Sequence, residues 1–143
     1  MDERIVVKRE DLILGNIALG IGIDEFDKLV TGDMLSEEIF DRDVGFGEIV
    51  RAYSNGIRTL FTDFHDGRGF ILFSLQTTSS EHPTARGLAV GDSVEKIYEL
   101  YGITLWEIYD GVFQYGTETG DYVQLQIIVE DDKAVRIGVS LIL

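Results

Sequence analysis

The chain has no cysteine and a single proline, Pro83, among its 143 residues. The missing thiols exclude disulfides, thiolate metal sites, a cysteine nucleophile and a lipid-modified cysteine. Because proline interrupts helices and central strands, its scarcity fits a chain of continuous secondary structure. Glycine is frequent instead, with 16 residues, and it fits a chain with many tight turns.

Basic residues are also scarce, with 12 Lys and Arg against 26 Asp and Glu, for a net charge of −14. Such a chain repels phosphate backbones, so we expect no nucleic acid partner. No apolar run reaches membrane-spanning length, and membrane insertion is not expected. The acids are spread along the chain, which indicates a solvated surface; a basic partner or bound cations are the alternative.

The first residues, MDERIVVKRED, are too charged for a signal peptide. The compartment stays open on this ground: extracytoplasmic if a leader was removed from the chain, otherwise cytoplasmic.

A weak internal repeat organises the chain. The segment ARGLAVGDSVEKIYELYG, residues 85–102, has an upstream counterpart in IALGIGIDEFDKLVTG, with Gly20 aligned on Gly91, 71 residues later. In the downstream copy Val94, Ile97, Tyr98 and Tyr101 recur at helical spacing.

The two predicted helices differ at their ends. Asp92 or Ser93 can cap the downstream helix, and Gly102 suits its end. The upstream helix has Ile21 and Gly22 at the capping positions, so we expect it to be frayed or short.

Strand patterns follow both helices. The first set is EIVRAY, IRTLFTDF and FILFSLQ, and the second is TLWEIY, VFQY, DYVQLQIIVE and AVRIGVSLIL. Asn55-Gly56, Asp66-Gly67 and Asp110-Gly111 are hairpin signals. The last two strands alternate apolar and polar residues, which predicts an antiparallel sheet with one covered and one wet face.

Two segments stand outside this pattern. Residues 32–48, GDMLSEEIFDRDVGFGE, have no equivalent in the second half, and their Met34, Leu35, Ile39 and Phe40 predict a second short helix in an insertion. Residues 76–87, QTTSSEHPTARG, have the composition of a linker or exposed crossover.

The sequence therefore predicts an α+β protein: two tandem helix-plus-antiparallel-meander repeats that form one long curved sheet with helices on one face. The first repeat spans residues 1–80, with the insertion at 32–48, and the second spans 81–143; together they are expected to form one compact unit.

The stretch TARGLAVGDSVEKIYELYG resembles the helix-opening motif of the β-lactamase-inhibitor-protein-like (BLIP-like) superfamily, which includes the SmpA/OmlA lipoproteins. Val90, Gly91, Asp92, Ser93 and Gly102 hold the places of that motif. The resemblance implies a tandem-repeat protein whose concave open sheet face binds another protein. The chain lacks the cysteines of the inhibitors and of the lipoproteins, so no particular target is implied.

Candidate chemical motifs are incomplete. The loop DRDVGFGE, residues 41–48, begins like a calcium loop but has Phe46 where glycine is needed and no glutamate at its twelfth position. The stretch around Gly20 lacks the third glycine and the βαβ context of a dinucleotide site. We expect no metal and no cofactor.

No catalytic constellation is complete either. His65 and His82 lie in turn-like stretches without a second histidine at ligand spacing or a nucleophile partner. Asp63, Asp66, Asp131 and Asp132 are carboxylates that a glycosidase could use, but acids in turns are usually just solvated. A hydrolase is therefore the least supported class.

Aromatic residues are the more informative set. The candidate protein-binding residues are Tyr53, Trp106, Tyr109, Tyr115 and Tyr122. If they lie on an open sheet face, they are binding anchors with a large contact area and few rotatable bonds. If they lie under the helices, they are ordinary core residues.

The sequence thus favours a non-enzymatic protein-binding module that uses the open sheet face, either inhibitor-like or envelope-associated. A small-molecule ligand-binding domain and a structural scaffold are the alternatives. The partner is another protein or peptide, and pairing of open sheet edges into a homodimer is a further option.

Overall fold

The computed structural model describes residues 11–42, 46–102, 106–107, 111–116 and 123–141. Within them the chain forms two helices and ten strands. In chain order these are β1 (Ile13–Leu14), β2 (Ile17–Ala18), α1 (Ile23–Leu29), β3 (Met34–Arg42), β4 (Phe46–Tyr53), β5 (Ile57–Asp63), β6 (Phe70–Thr77), α2 (Val94–Tyr101), β7 (Trp106–Glu107), β8 (Val112–Gly116), β9 (Val123–Glu130) and β10 (Lys133–Leu141).

Strands β3 to β10 form one antiparallel sheet of eight strands in the order β3-β4-β5-β6-β10-β9-β8-β7. Strands β1 and β2 form a separate hairpin. The two consecutive strand sets meet where β6 pairs with β10, with Leu75 opposite Val139. The α+β class and the antiparallel sheet predicted from the sequence are confirmed.

One face of this sheet carries the core, and we call it the covered face. Directly opposed residues share a face, so the register defines rows of neighbours across the strands. One such row, buried at every position, consists of Thr59, Leu75, Val139, Leu125 and Tyr115. A second buried row consists of Ile57, Thr77, Ile137, Ile127 and Phe113.

Both helices pack on the covered face through aromatic contacts. In α1, the fully buried ring of Phe26 lies 5.1 Å from the Phe61 ring, centroid to centroid. In α2, the Tyr98 ring lies 5.7 Å from Phe113. Neither helix within the described ranges is long and apolar enough to cross a membrane.

The helix ends agree with the sequence prediction. Ser93 caps α2 by accepting a hydrogen bond from the Lys96 amide at its side-chain oxygen, and Gly102 ends that helix at φ 77°. Gly22 caps α1 without any side-chain hydrogen bond, and the helix is only seven residues long.

The segment 34–42 corrects the sequence analysis. These residues do not form a helix; they form the strand β3, paired with β4 from Met34 to Arg42. The helical spacing of Leu35 and Ile39 is overridden because the β4 ladder satisfies the backbone along the strand. The predicted calcium-like loop is the β3–β4 connection, and its residues 43–45 lie outside the described residues.

The segment between β6 and α2 is more firmly held than a linker composition indicates. Arg86 forms an ion pair with Asp11 at 2.9 Å and donates to the Leu100 carbonyl. The Tyr101 hydroxyl donates to Thr84 Oγ1 at 2.6 Å. These partly buried polar contacts tie the crossover to helix α2.

Candidate functional site

The face of the sheet opposite the helices, which we call the open face, carries polar rows. Successive cross-strand partners from β4 to β8 define the first row, which contains Ala52, Arg58, Gln76, Gly138, Gln126 and Gln114. The second row contains Val50, Leu60, Ser74, Ser140, Gln124 and Gly116. We call these two sets the open-face rows.

The open-face rows differ from the rest of the chain in charge. They hold four glutamines, two serines and one arginine but no carboxylate, in a chain with 26 acids. All four glutamines are partly exposed. A glutamine amide both donates and accepts hydrogen bonds, so this face offers neutral, two-way hydrogen bonding to a ligand.

The middle of the first row is close-packed. A Cβ at Gly138 would lie 3.2 Å from Gln76 Cγ, which shows that the Gln76 side chain extends over this glycine. Because Gly138 has no side chain, it leaves a space on β10, and the Gln76 side chain of β6 occupies this space. Around it, β10 pairs in antiparallel register with both β6 and β9.

Two of the five aromatics predicted as binding anchors are core residues. The Tyr53 ring lies 5.7 Å from Phe26, and its hydroxyl accepts a hydrogen bond from Arg51 at 3.2 Å. The Tyr115 hydroxyl donates to the Gly102 carbonyl at 2.9 Å. Burial raises the pKa of both phenols. An exposed anchor role is wrong for these two, since both side chains pack on the covered face.

Of the other three predicted anchors, only Trp106 lies within the described residues. The backbone of Trp106 on β7 pairs with Gln114, a member of the first open-face row. Tyr109 and Tyr122 lie outside the described residues.

The two histidines occupy different surroundings. His65 is exposed at φ 57° in the β5–β6 turn, and its amide donates to Asp63 Oδ1 at 2.8 Å. His82 is buried, with Nδ1 3.0 Å from Thr77 Oγ1, and burial lowers its pKa. The described contacts give neither imidazole a nucleophile to activate, apart from the Thr77 hydroxyl.

The carboxylates considered for glycoside chemistry lie in two separate turns. Asp66 in the β5–β6 turn is paired with Arg68, whose hydrogen bond lowers the pKa of that carboxyl. Asp131 and Asp132 form the β9–β10 turn at φ 52° and 62°. Within the described ranges, no group of three or more metal-ligating residues could hold a metal ion.

A pocket of about 270 Å³ lies beside His82. The β1–β2 turn contributes Asn16, the end of α1 contributes Leu29, and the β4–β5 turn contributes Asn55. Glu81 adds a charged group at the same place. It is not an apolar cavity between helices and sheet, which is the site expected for a ligand-binding domain.

The sequence analysis missed two of the four glutamines in the open-face rows. The alternation in β9 identified Gln124 and Gln126, but Gln76 and Gln114 were not singled out. The strand register could have identified them. A hairpin turn fixes which residues oppose one another across two strands, so the turn residues next to each strand predict the face on which its glutamine lies.

Comparison of the chain with protein-family models, with curated proteins and with solved structures finds no match.

Proposed function

We propose that this chain is a non-enzymatic protein-binding module whose open sheet face docks another protein or peptide. The observation that carries the proposal is the first open-face row. It sets three glutamines and Arg58 across five adjacent strands, on a face that no described helix covers. A rigid sheet presents such groups at low entropic cost, which favours binding.

We further propose that the fold is a tandem repeat of the BLIP-like kind. Under the 71-residue offset, Gly20 and Gly91 have similar φ values of 88° and 98°. Gly20 donates to the Leu72 carbonyl, and Gly91 donates to the Ala134 carbonyl.

The return hydrogen bonds match as well. Leu72 donates to the Ile21 carbonyl and Ala134 donates to the Asp92 carbonyl, and these acceptors are again 71 residues apart. Phe26 and Ile97, also equivalent, are both fully buried on their helices. The two helix entries are thus anchored to the sheet by the same contacts, which supports duplication of one unit.

The charge distribution favours a particular kind of partner. The chain as a whole carries −14, so long-range attraction steers basic proteins toward it. The open-face rows themselves offer uncharged polar groups apart from Arg58, which favours a partner surface rich in amides, hydroxyls and aromatic rings over a strongly charged one.

Affinity capture with matched variants tests this proposal. The immobilised chain is incubated with native extract, alongside a Gln76→Ala, Gln126→Ala double variant and a Glu95→Ala, Glu99→Ala control on the exposed side of α2. We expect one protein to be retained by the unmodified chain and the α2 control but lost from the open-face variant. Trp106→Ala, next to Gln114 in the backbone ladder, is expected to weaken the same capture.

A small-molecule site beside His82 is the second candidate, on the strength of the pocket described above. Its amide, imidazole and carboxylate groups, together with Ile17 and Leu29, suit a small ligand that carries both polar and apolar groups. A thermal-shift screen with polar metabolites tests it: a ligand that stabilises the unmodified chain but not an Asn55→Ala variant supports this site.

A further inference from the structure

Strand β3 is the outermost strand at one end of the sheet. The sheet order places it beside β4 alone, and no described strand pairs with its other side. It is nine residues long, compared with the two described residues of β7 at the opposite edge. A long edge strand presents unpaired backbone N–H and C=O groups, which template the addition of another strand.

The side chains of β3 are unusually apolar for an edge. Met34, Leu35, Ile39 and Phe40 are all exposed, with Leu35 and Ile39 at 68%. Ile39 pairs with Ile49 on the covered face, whereas Phe40 pairs with Glu48 on the open face. Apolar surface therefore lies on both sides of the strand. Single exposed hydrophobic residues are ordinary, but four on one edge strand mark an interaction surface.

The charge of this edge is acidic but unequal between its two faces. Glu37 is neutralised, because Arg51 Nε lies 2.7 Å from its carboxylate. The same guanidinium also binds Asp27 of α1 at 2.9 Å. Glu38 is exposed and has no cation within ion-pair distance among the described residues.

This charge distinguishes between two strands that could add to the edge, one from a second copy of the chain and one from a basic partner protein. A second copy of the chain would bring Glu38 and a further net charge of −14 to the same edge. A basic partner strand does not meet this repulsion.

We propose that the outer edge of β3 binds an extended, basic and apolar segment of a partner protein as an additional antiparallel or parallel strand. Backbone hydrogen bonds supply affinity, Ile39 packs against apolar side chains on one face of the segment, and Glu38 pairs with a Lys or Arg on its other face. This surface lies at the edge of the sheet, outside the open-face rows, and does not depend on the function proposed for those rows.

The test uses a fluorescein-labelled peptide as long as β3, made of alternating valine and lysine. Binding is measured by fluorescence anisotropy at low salt, and hydrogen exchange is followed in the β3 amides of the full chain. Two control peptides replace lysine by glutamate or carry N-methylated backbone amides. We expect the valine–lysine peptide alone to bind and to slow exchange in β3.

A pair of variants separates edge recognition from general attraction. Glu38→Lys is expected to weaken peptide binding roughly fivefold, since it turns an attractive cross-strand pair into a repulsive one. Glu95→Lys, the same charge change on the exposed side of α2, should leave binding nearly unchanged.

Four results overturn the proposal. They are absence of binding, equal weakening by both variants, undiminished binding of the N-methylated peptide, and binding without protection of β3. Sedimentation of the chain alone provides a last check: a dimer that protects β3 would identify a second copy as the occupant instead.

Discussion

At the scale of single residues, the buried imidazole of His82 makes the stability of the chain depend on pH. Burial lowers its pKa below the ordinary value of about 6.5, although the nearby Glu81 carboxylate partly opposes this shift. The unfolded chain therefore takes up a proton first as the pH falls. We expect the free energy of unfolding to decline as the pH falls below about 6.5, in the window down to the folded-state pKa.

The matched variant for this prediction is His82→Asn, whose side-chain amide can both donate to and accept from the Thr77 hydroxyl. Denaturant unfolding at several pH values between neutral and acid gives the comparison. The unmodified chain should lose more stability than the variant across the window. Parallel curves for the two proteins would show that His82 is not protonated preferentially in the unfolded state.

Two tyrosines on α2 give a second residue-scale prediction. The Tyr101 hydroxyl is buried and donates to Thr84 Oγ1, whereas Tyr98 is 40% exposed and contacts Phe113 through its ring. Tyr101→Phe should cost about 1 kcal/mol of unfolding free energy, because it leaves a buried polar group with one partner fewer.

Tyr98→Phe is the control on the same helix and should change stability by less than about 0.5 kcal/mol, as exposed substitutions usually do. Chemical denaturation measures both variants. Equal effects of the two substitutions would contradict the role assigned to the Tyr101 hydroxyl.

At the scale of elements, the first residues of the two helices support opposite predictions: adding a cap to α1 should stabilise the chain, and removing the cap of α2 should destabilise it. Gly22 has extended φ and ψ, and a Cβ there meets nothing within 4 Å. Gly22→Ser should therefore stabilise the chain by about 0.5–1 kcal/mol, through a new cap and reduced freedom of the unfolded chain. Ser93→Ala should destabilise it by about 1 kcal/mol, through loss of the bond from Lys96. Thermal unfolding measures both; a destabilising Gly22→Ser would show that α1 needs glycine at its start.

Much of the fold was predictable at this scale because its signals are local. The caps, Gly102 and the Asn55-Gly56 turn act over a few residues, and they placed α2 and the β4–β5 hairpin. Strand β3 was missed because Leu35 and Ile39 fit helical spacing equally well. What decides its structure is the ladder with β4, and a ladder depends on a partner strand more than on the segment itself.

The candidate site was less predictable. Alternation in β9 identified a polar face, but residue type alone placed Tyr53 and Tyr115 among binding anchors, and both are buried. Tyrosine suits a core as well as a surface when its hydroxyl finds a partner, as the Gly102 carbonyl provides for Tyr115. Which face of a strand is covered depends on where the helices pack, which no single strand specifies.

A register detail in β10 shows the same limit. The sequence alternation set Val135 in line with Ile137, but a bulge between Ala134 and Arg136 shifts the pairing with β9. Ala134 is buried in its place. A bulge changes which residues face the core while leaving the composition of the strand unchanged.

At the scale of the whole molecule, the β6–β10 pairing joins both strand sets into one sheet with a shared buried cluster. We therefore expect a single cooperative unfolding transition. Far-ultraviolet circular dichroism reports the whole sheet, and the fluorescence of Trp106, the single tryptophan, reports the second half. The two denaturation curves should coincide. Separate midpoints would show that the halves are independent units.

The central claim is that the open face docks a protein, and site-specific cross-linking tests it most directly. Because the chain has no cysteine, Gln126→Cys on the open face and Glu99→Cys on exposed α2 each supply a single attachment point for a photoreactive probe. After irradiation in native extract, the account predicts one protein joined to position 126 and none of it joined to position 99. A cross-link from position 99 alone, equal products at both positions, or no product at position 126 would contradict it.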